Sequence, residues 1–181
     1  VVAGARPHVP PIEGLDQVAY LDNESVFELE ALPASIVFVG GGYIACELAH
    51  FFEAMGSRVT LLQRNEFLVP YEEPDISLAL QRRLSERMEV RTHTEAIAVR
   101  SQRRNVIVSA RDRETGAVSE HIGEQVLIAT GRVPNSDILQ VANAGIETDA
   151  RGMIVANEYL ETSAPGVWAL GDIIGKGMFK H

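Results

Sequence analysis

Ile36-Val37-Phe38-Val39-Gly40-Gly41-Gly42-Tyr43-Ile44-Ala45 decides how this chain folds. Four apolar residues, three of them β-branched, read as a short buried strand. Directly after them comes G-x-G-x-x-A, and Ile44, Leu48, Phe51, Phe52 and Met55 then fall at helical spacing over 43–55. Each small residue of the turn has a physical task. Gly40 permits the tight turn, Gly42 lets the backbone approach a pyrophosphate, and Ala45 lets the helix lie close to the sheet. Exposed N–H groups at the start of the helix then make an anion site. Glycine-rich turns are common, so the strand before and the helix after carry the reading: dinucleotide binding.

The pattern continues outward from this unit. Pro7, Pro10, Pro11 and Gly14 make 5–15 a stiff extended connection, and Asn23 or Ser25 is the expected cap of a short helix through Leu32, closed by Pro33. After Gly56, Arg58–Leu62 is the next strand. Pro70–Pro74 is a loop, and Asp75 is the expected cap of a helix with Ile76, Leu80 and Leu84 on its apolar face. Glu89–Thr92 supplies a third strand. A β-α-β-α-β order implies a parallel sheet with right-handed crossovers. Residues 96–100, 106–110 and 118–122 then alternate between turns, which predicts a three-stranded antiparallel meander. Val126–Ala129 returns to the parallel sheet as a fully buried strand. The expected fold is therefore α/β, a Rossmann-like parallel sheet with helices and an antiparallel meander. A loop-rich composition begins after Gly131 and ends in a predicted strand, Val167-Trp168-Ala169-Leu170.

Composition excludes several classes. Of the 181 residues 46% are hydrophobic and 23% charged, as in ordinary globular proteins, and no apolar run approaches membrane-spanning length. A net charge of −9 argues against a nucleic-acid backbone as partner. The single cysteine, Cys46, rules out an internal disulfide and fits a reducing compartment, hence a cytoplasmic location. His8, His50, His93, His121 and His181 show no metal-ligand spacing, so no metal is expected. Val1-Val2-Ala3-Gly4 reads as the tail of a buried strand, and Phe179-Lys180-His181 carries no terminating signal, so the expectation is a piece of a longer protein.

Four signatures stand in a fixed order: Gly4-Ala5-Arg6-Pro7, the Gly40–Glu47 fingerprint, Ala129-Thr130-Gly131-Arg132-Val133-Pro134-Asn135, and Thr162-Ser163 leading to Ala169-Leu170-Gly171-Asp172. Jointly they resemble the flavin-dependent pyridine nucleotide–disulfide oxidoreductases, the family of dihydrolipoamide dehydrogenase, glutathione reductase, mercuric reductase and mycothione reductase. The resemblance covers essentially the whole chain. It implies that residues 1–33 are the end of a first FAD-domain segment and a linker, 34–130 an NAD(P)-binding domain, and 131–181 an incomplete return of the FAD domain. The first flavin fingerprint, the redox cysteine pair and a dimerisation domain would lie outside it. The full-length protein is then expected to be a homodimeric enzyme passing hydride between nicotinamide and FAD and electrons on to a redox disulfide. This chain by itself is expected to bind nucleotide and turn nothing over. A flavin-dependent NADH oxidase or ferredoxin reductase, and a non-catalytic nucleotide-binding module, are the alternatives.

On this template Gly40, Gly42, Tyr43, Ile44, Ala45, Glu47, Gln63, Arg64, Ala96 and Gly131 are the candidate NAD(P) contacts, with Glu47 nearest the nicotinamide. Gly4, Gly171, Asp172, Met178 and Lys180 are the candidate FAD contacts, Asp172 accepting from the ribityl chain. Cofactor choice turns on Gln63-Arg64. An NAD reader places a carboxylate at that strand end to accept from both ribose hydroxyls. A neutral Gln63 followed by Arg64, a charge-assisted partner for phosphate, favours NADP. The second basic residue that glutathione reductase-like sequences carry is Pro70 here.

Overall fold

The computed structural model describes residues 1–176. In chain order the elements are β1 (Ala5–Pro7), β2 (Ser35–Val39), α1 (Tyr43–Ala54), β3 (Arg58–Leu62), α2 (Pro74–Ser85), β4 (Glu89–Arg91), β5 (Thr94–Gln102), β6 (Asn105–Asp112), β7 (Val118–Gly123), β8 (Gln125–Ile128) and β9 (Arg132–Pro134). They divide into two compact units. Val9–Gly131 is the larger; Val1–His8 and the chain from Arg132 onward form the smaller.

In the larger unit the parallel sheet has the order β4-β3-β2-β8, and β5-β6-β7 form the antiparallel meander. The α/β architecture expected from the sequence is the one observed. Side-chain alternation along the strands explains its layers. Ile36, Phe38, Val59, Leu61 and Leu127 point to one face, where they pack with α1 and with Leu84 of α2. Val37, Val39, Leu62, Val126 and Ile128 point to the other, against Val99, Val106, Val108 and Ala110 of the meander. A period of two thus builds helices, sheet and meander as three layers around two cores. Phe38, Leu61 and Leu127 have no exposed surface, each burial stabilising the unit by about 1.5–3 kcal/mol.

Helix α1 presents a different face from the one its large residues suggest. Ala45, Cys46, Ala49 and Phe52 are buried, while Phe51 and Met55 are more than half exposed. A helix laid close to a sheet has room only for small side chains at its contact, so the alanines face inward. Likewise α2 buries Ser77 and Leu84 and leaves Ile76 exposed, Ser77 Oγ donating to the Val69 carbonyl at 3.2 Å.

Residues 9–33 pack with the larger unit. Leu15 and Val18 are buried in the core between meander and sheet. Leu21 bridges Leu127, with hydrogen bonds of 2.8 Å to Val126 and from Ile128. The expected helix through Leu32 reduces to a single 3-10 turn at Ser25–Glu28. Its N-cap position is Glu24, and just ahead of it the Asp22 carboxylate accepts from the Glu24 and Ser25 amides at 2.9 and 2.8 Å. The N-cap thus falls between the two expected residues, Asn23 and Ser25.

In the smaller unit β1 and β9 pair antiparallel, so that Ala5-Arg6-Pro7 of the first signature lies beside Arg132-Val133-Pro134 of the third. Two expected strands depart from the expectation: Val1–Gly4 forms no strand, and the second is reduced. Strand β1 begins only at Ala5, and Val167–Leu170 makes a single bridge, Trp168 to Glu161. Trp168 and Leu170 are about half exposed, which removes the burial that a full strand there would need. Arg6 and Asp137 form an exposed two-bond ion pair at 2.9 and 2.6 Å, which holds the Asp137 carboxyl down at about 2.

Candidate nucleotide-binding turn and family

Where β2 ends, Gly40 donates to the Leu62 carbonyl at 2.8 Å and adopts φ +117°. A Cβ placed on it would stand 2.2 Å from the Ala129 carbonyl oxygen. Gly41 is buried beneath Gln63, whose side-chain carbons would lie 2.8–2.9 Å from a Cβ there, and its carbonyl accepts from the Val69 amide at 2.7 Å. Gly41 is thus required for space, a role the sequence fingerprint leaves open because its second position is free. At Gly42 a Cβ would meet nothing within 4 Å. Gly42 is the N-cap of α1, its carbonyl accepts the first helical bond from Cys46 at 3.0 Å, and no side chain caps the turn. An uncapped helix start beside open space suits an anion, through its N–H groups and the helix dipole.

Tyr43 and Ile44 open this helix half-buried, Ala45 has no exposed surface, and Glu47 is exposed one turn on. The Tyr43 hydroxyl donates to the Glu72 carboxylate, which raises the phenol's pKa. The two residues at the end of β3 point in different directions. Gln63 is 4% exposed, and its amide donates to the Phe67 carbonyl at 3.0 Å. Arg64 is exposed, and its carbonyl accepts from Arg113 at 3.2 Å. Ala96 packs against the meander–sheet core beside an irregularity of β5, and Gly131 is the exposed last residue of the larger unit.

In the smaller unit the Gly4 carbonyl accepts from the Asn135 amide at 3.1 Å. Gly171 leads into a 3-10 turn that starts at Asp172. Asp172 accepts from Arg132 Nη1 at 2.5 Å, the same guanidinium donating to the Ala5 carbonyl, and Arg132 Nε is buried without a hydrogen-bond partner. Met178 and Lys180 lie outside the described residues. Among the described residues no group of three or more His, Cys, Asp or Glu is placed to hold a metal ion, and no helix is long and apolar enough to cross a membrane.

The whole chain, residues 1–181, matches the family model described as pyridine nucleotide-disulphide oxidoreductase. It belongs to that family. Mycothione reductase of Mycobacterium tuberculosis is 37% identical over 181 residues, all of this chain and 38% of that protein. Mercuric reductase of Staphylococcus aureus is 36% identical over 174 residues, 96% of this chain and 31% of that protein. A solved structure, the HOCl-induced flavoprotein disulfide reductase RclA from Escherichia coli, superposes with a TM-score of 0.86 at 30% identity, covering 98% of this chain and 40% of the other. The chain thus spans between about a third and two fifths of the relatives it matches. The family is one of flavin-dependent disulfide oxidoreductases that use pyridine nucleotides.

In such a family a lone cysteine invites a redox reading, and the geometry of Cys46 opposes it. The thiol is buried in α1 against the Gly41 carbonyl at 3.7 Å, and burial, then the charge of Glu47, pushes its pKa up to about 12. A thiol there is protonated and inert at neutral pH. Its thiolate population at pH 8 is on the order of a thousandfold below that of a free cysteine of pKa about 8.5. Iodoacetamide at pH 8 should therefore label the folded chain at least about a thousandfold more slowly than the chain in guanidinium. Mass spectrometry follows both rates, and comparable rates would show an accessible thiol.

Proposed function

We propose that this chain is the NAD(P)-binding part of a flavin-dependent disulfide reductase, with the smaller unit contributing flavin-domain flanks. The single observation that carries the reading is the turn at Gly40–Gly42, with its open space and uncapped helix start. Those features fit a pyrophosphate, with the Ile44 and Ala45 amides directed at it and Glu47 one turn further along, toward the nicotinamide. Asp172 fits a flavin ribityl chain: it is a carboxylate acceptor hydrogen-bonded by Arg132, next to the unmet donor Arg132 Nε. When bound, the two cofactors supply hydride transfer, and a redox disulfide outside this chain takes the electrons onward. This chain's own residues bind and orient, and by themselves give no turnover. We assign the full-length protein to the cytoplasm as a homodimer.

NADP(H) is the preferred nucleotide in this reading. The strand end that would carry a ribose-binding carboxylate has the neutral, inward-turned Gln63, and the next residue is the exposed cation Arg64. A charge-assisted contact from Arg64 to a 2′-phosphate is worth about 1.5–3 kcal/mol, roughly tenfold or more in affinity. Calorimetric titration with NADPH and NADH should therefore give a NADPH/NADH affinity ratio well above one, reduced about tenfold by Arg64→Ala with NADH binding unchanged. An unchanged ratio would remove the NADP preference.

A further inference from the structure

Three segments meet beside Arg64. His93, after β4, donates from its amide to the Asn65 carbonyl at 3.0 Å, and Arg113, in the turn after β6, donates from its amide to the His93 carbonyl at 2.7 Å. The Arg113 side chain then reaches across to the Arg64 carbonyl at 3.2 Å. Backbone and side chain together anchor this guanidinium to the loop that carries Arg64. The loop itself offers no other cation: from Asn65 to Pro74 it has no Lys, Arg or His and carries Glu66, Glu72 and Glu73. A phosphate monoester of charge about −1.5 to −2 at pH 7 would therefore meet a single positive group if the loop acted alone.

We propose that Arg113 is a second cation for the adenosine 2′-phosphate, supplied from the meander rather than from the loop after β3. The proposal rests on the NADP(H) reading above. The surrounding carboxylates leave this guanidinium able to respond. Glu95 stands 4.0 Å from Arg113 Nε, at the outer limit of an ion pair, and the Arg113 side chain is half exposed. Asp112 is committed to the turn, accepting from the Glu114 and Thr115 amides at 2.9 and 2.8 Å, which holds its carboxyl below the usual range. Glu114 faces His93 Nδ1 at 3.5 Å. The present acceptor of Arg113 Nη1 is a neutral carbonyl. Exchanging it for a dianionic phosphate turns an ordinary hydrogen bond into a charge-assisted one, and the planar fork suits a phosphate face.

The test uses two probes that differ in one phosphate, adenosine 2′,5′-bisphosphate and adenosine 5′-monophosphate. Each is titrated calorimetrically into the wild-type chain and into Arg64→Ala, Arg113→Ala, Arg113→Lys and the double alanine variant. Wild type is expected to prefer the bisphosphate. Arg113→Ala should lower bisphosphate affinity about tenfold and leave the monophosphate unchanged, Arg113→Lys should recover part of the loss, and the double variant should abolish the preference. Loss of preference in Arg64→Ala but not in Arg113→Ala would overturn this inference and leave the NADP(H) reading standing. Equal loss for both probes in Arg113→Ala would also overturn it, by showing that Arg113 only ties the loop together. Equal affinity of wild type for the two probes would overturn both readings.

Discussion

Gly42→Val is expected to abolish saturable binding of NADPH and NADH while leaving the chain folded. A side chain at this position enters space in which no protein atom lies within 4 Å, and φ −80° with ψ −174° is backbone that any residue adopts. Folding therefore has little to lose. The same open space is where a pyrophosphate would approach the start of α1, and a branched side chain would hold it off those N–H groups. Losing two charge-assisted hydrogen bonds at about 1.5–3 kcal/mol each lowers affinity by roughly a hundredfold or more. Calorimetry reads the binding and a thermal melt the fold. Retained affinity in a folded variant would move the pyrophosphate away from this turn.

Two residues earlier the expected effect falls on the fold. In Gly40→Ala the added Cβ would sit 2.2 Å from the Ala129 carbonyl oxygen, at φ +117°, where L side chains are strained. The obstacle is backbone of the neighbouring turn, so β2 and β8 must separate at their ends. Strain at positive φ and overpacking each cost on the order of 1–3 kcal/mol, for a total of about 2–6 kcal/mol. For a chain of this size that lowers Tm by roughly 5–20 °C. A melt within 2 °C of wild type, about what a change under 1 kcal/mol produces, would show that the turn can relax. The contrast between these two glycines, one barred by neighbours and one by ligand space, is sharper than either result alone.

The order of layers was legible from residues 36–128 because strand and helix periods are local properties. Ile36 to Val39 and Val126 to Ile128 are apolar on both faces, which only a covered sheet explains. Local periods do not say which side of a helix wins. Phe51 and Met55 on α1 made a plausible apolar stripe, and the closeness of the sheet gave the contact to Ala45 and Ala49 instead. Nor do they say which way a polar side chain at a strand end will turn. Gln63 and Arg64 are neighbours in sequence, yet one is folded over Gly41 with its amide on the Phe67 carbonyl and the other is exposed. The N-cap of the 3-10 turn fell on Glu24, between the expected Asn23 and Ser25, and the Asp22 carboxylate takes the Glu24 and Ser25 amides. Arg113 had no signal at all in the sequence, since 49 residues separate it from the carbonyl that it contacts.

The pairing of β1 with β9 carries a consequence for how the molecule is assembled. Pro7 and Arg132 are register partners, so the chain leaves the smaller unit and re-enters it through adjacent positions. Everything from Val9 to Gly131 is an insert hung between them. Closing a disordered loop of that length costs about 4 kcal/mol in chain entropy, a cost that falls once the insert has collapsed by its own short-range contacts. Order of folding is thereby written into connectivity: the insert has the local contacts to form early, and Ala5–Pro7 must wait for Arg132–Pro134. During synthesis Val1–His8 emerge before the insert and complete their pairing only after it.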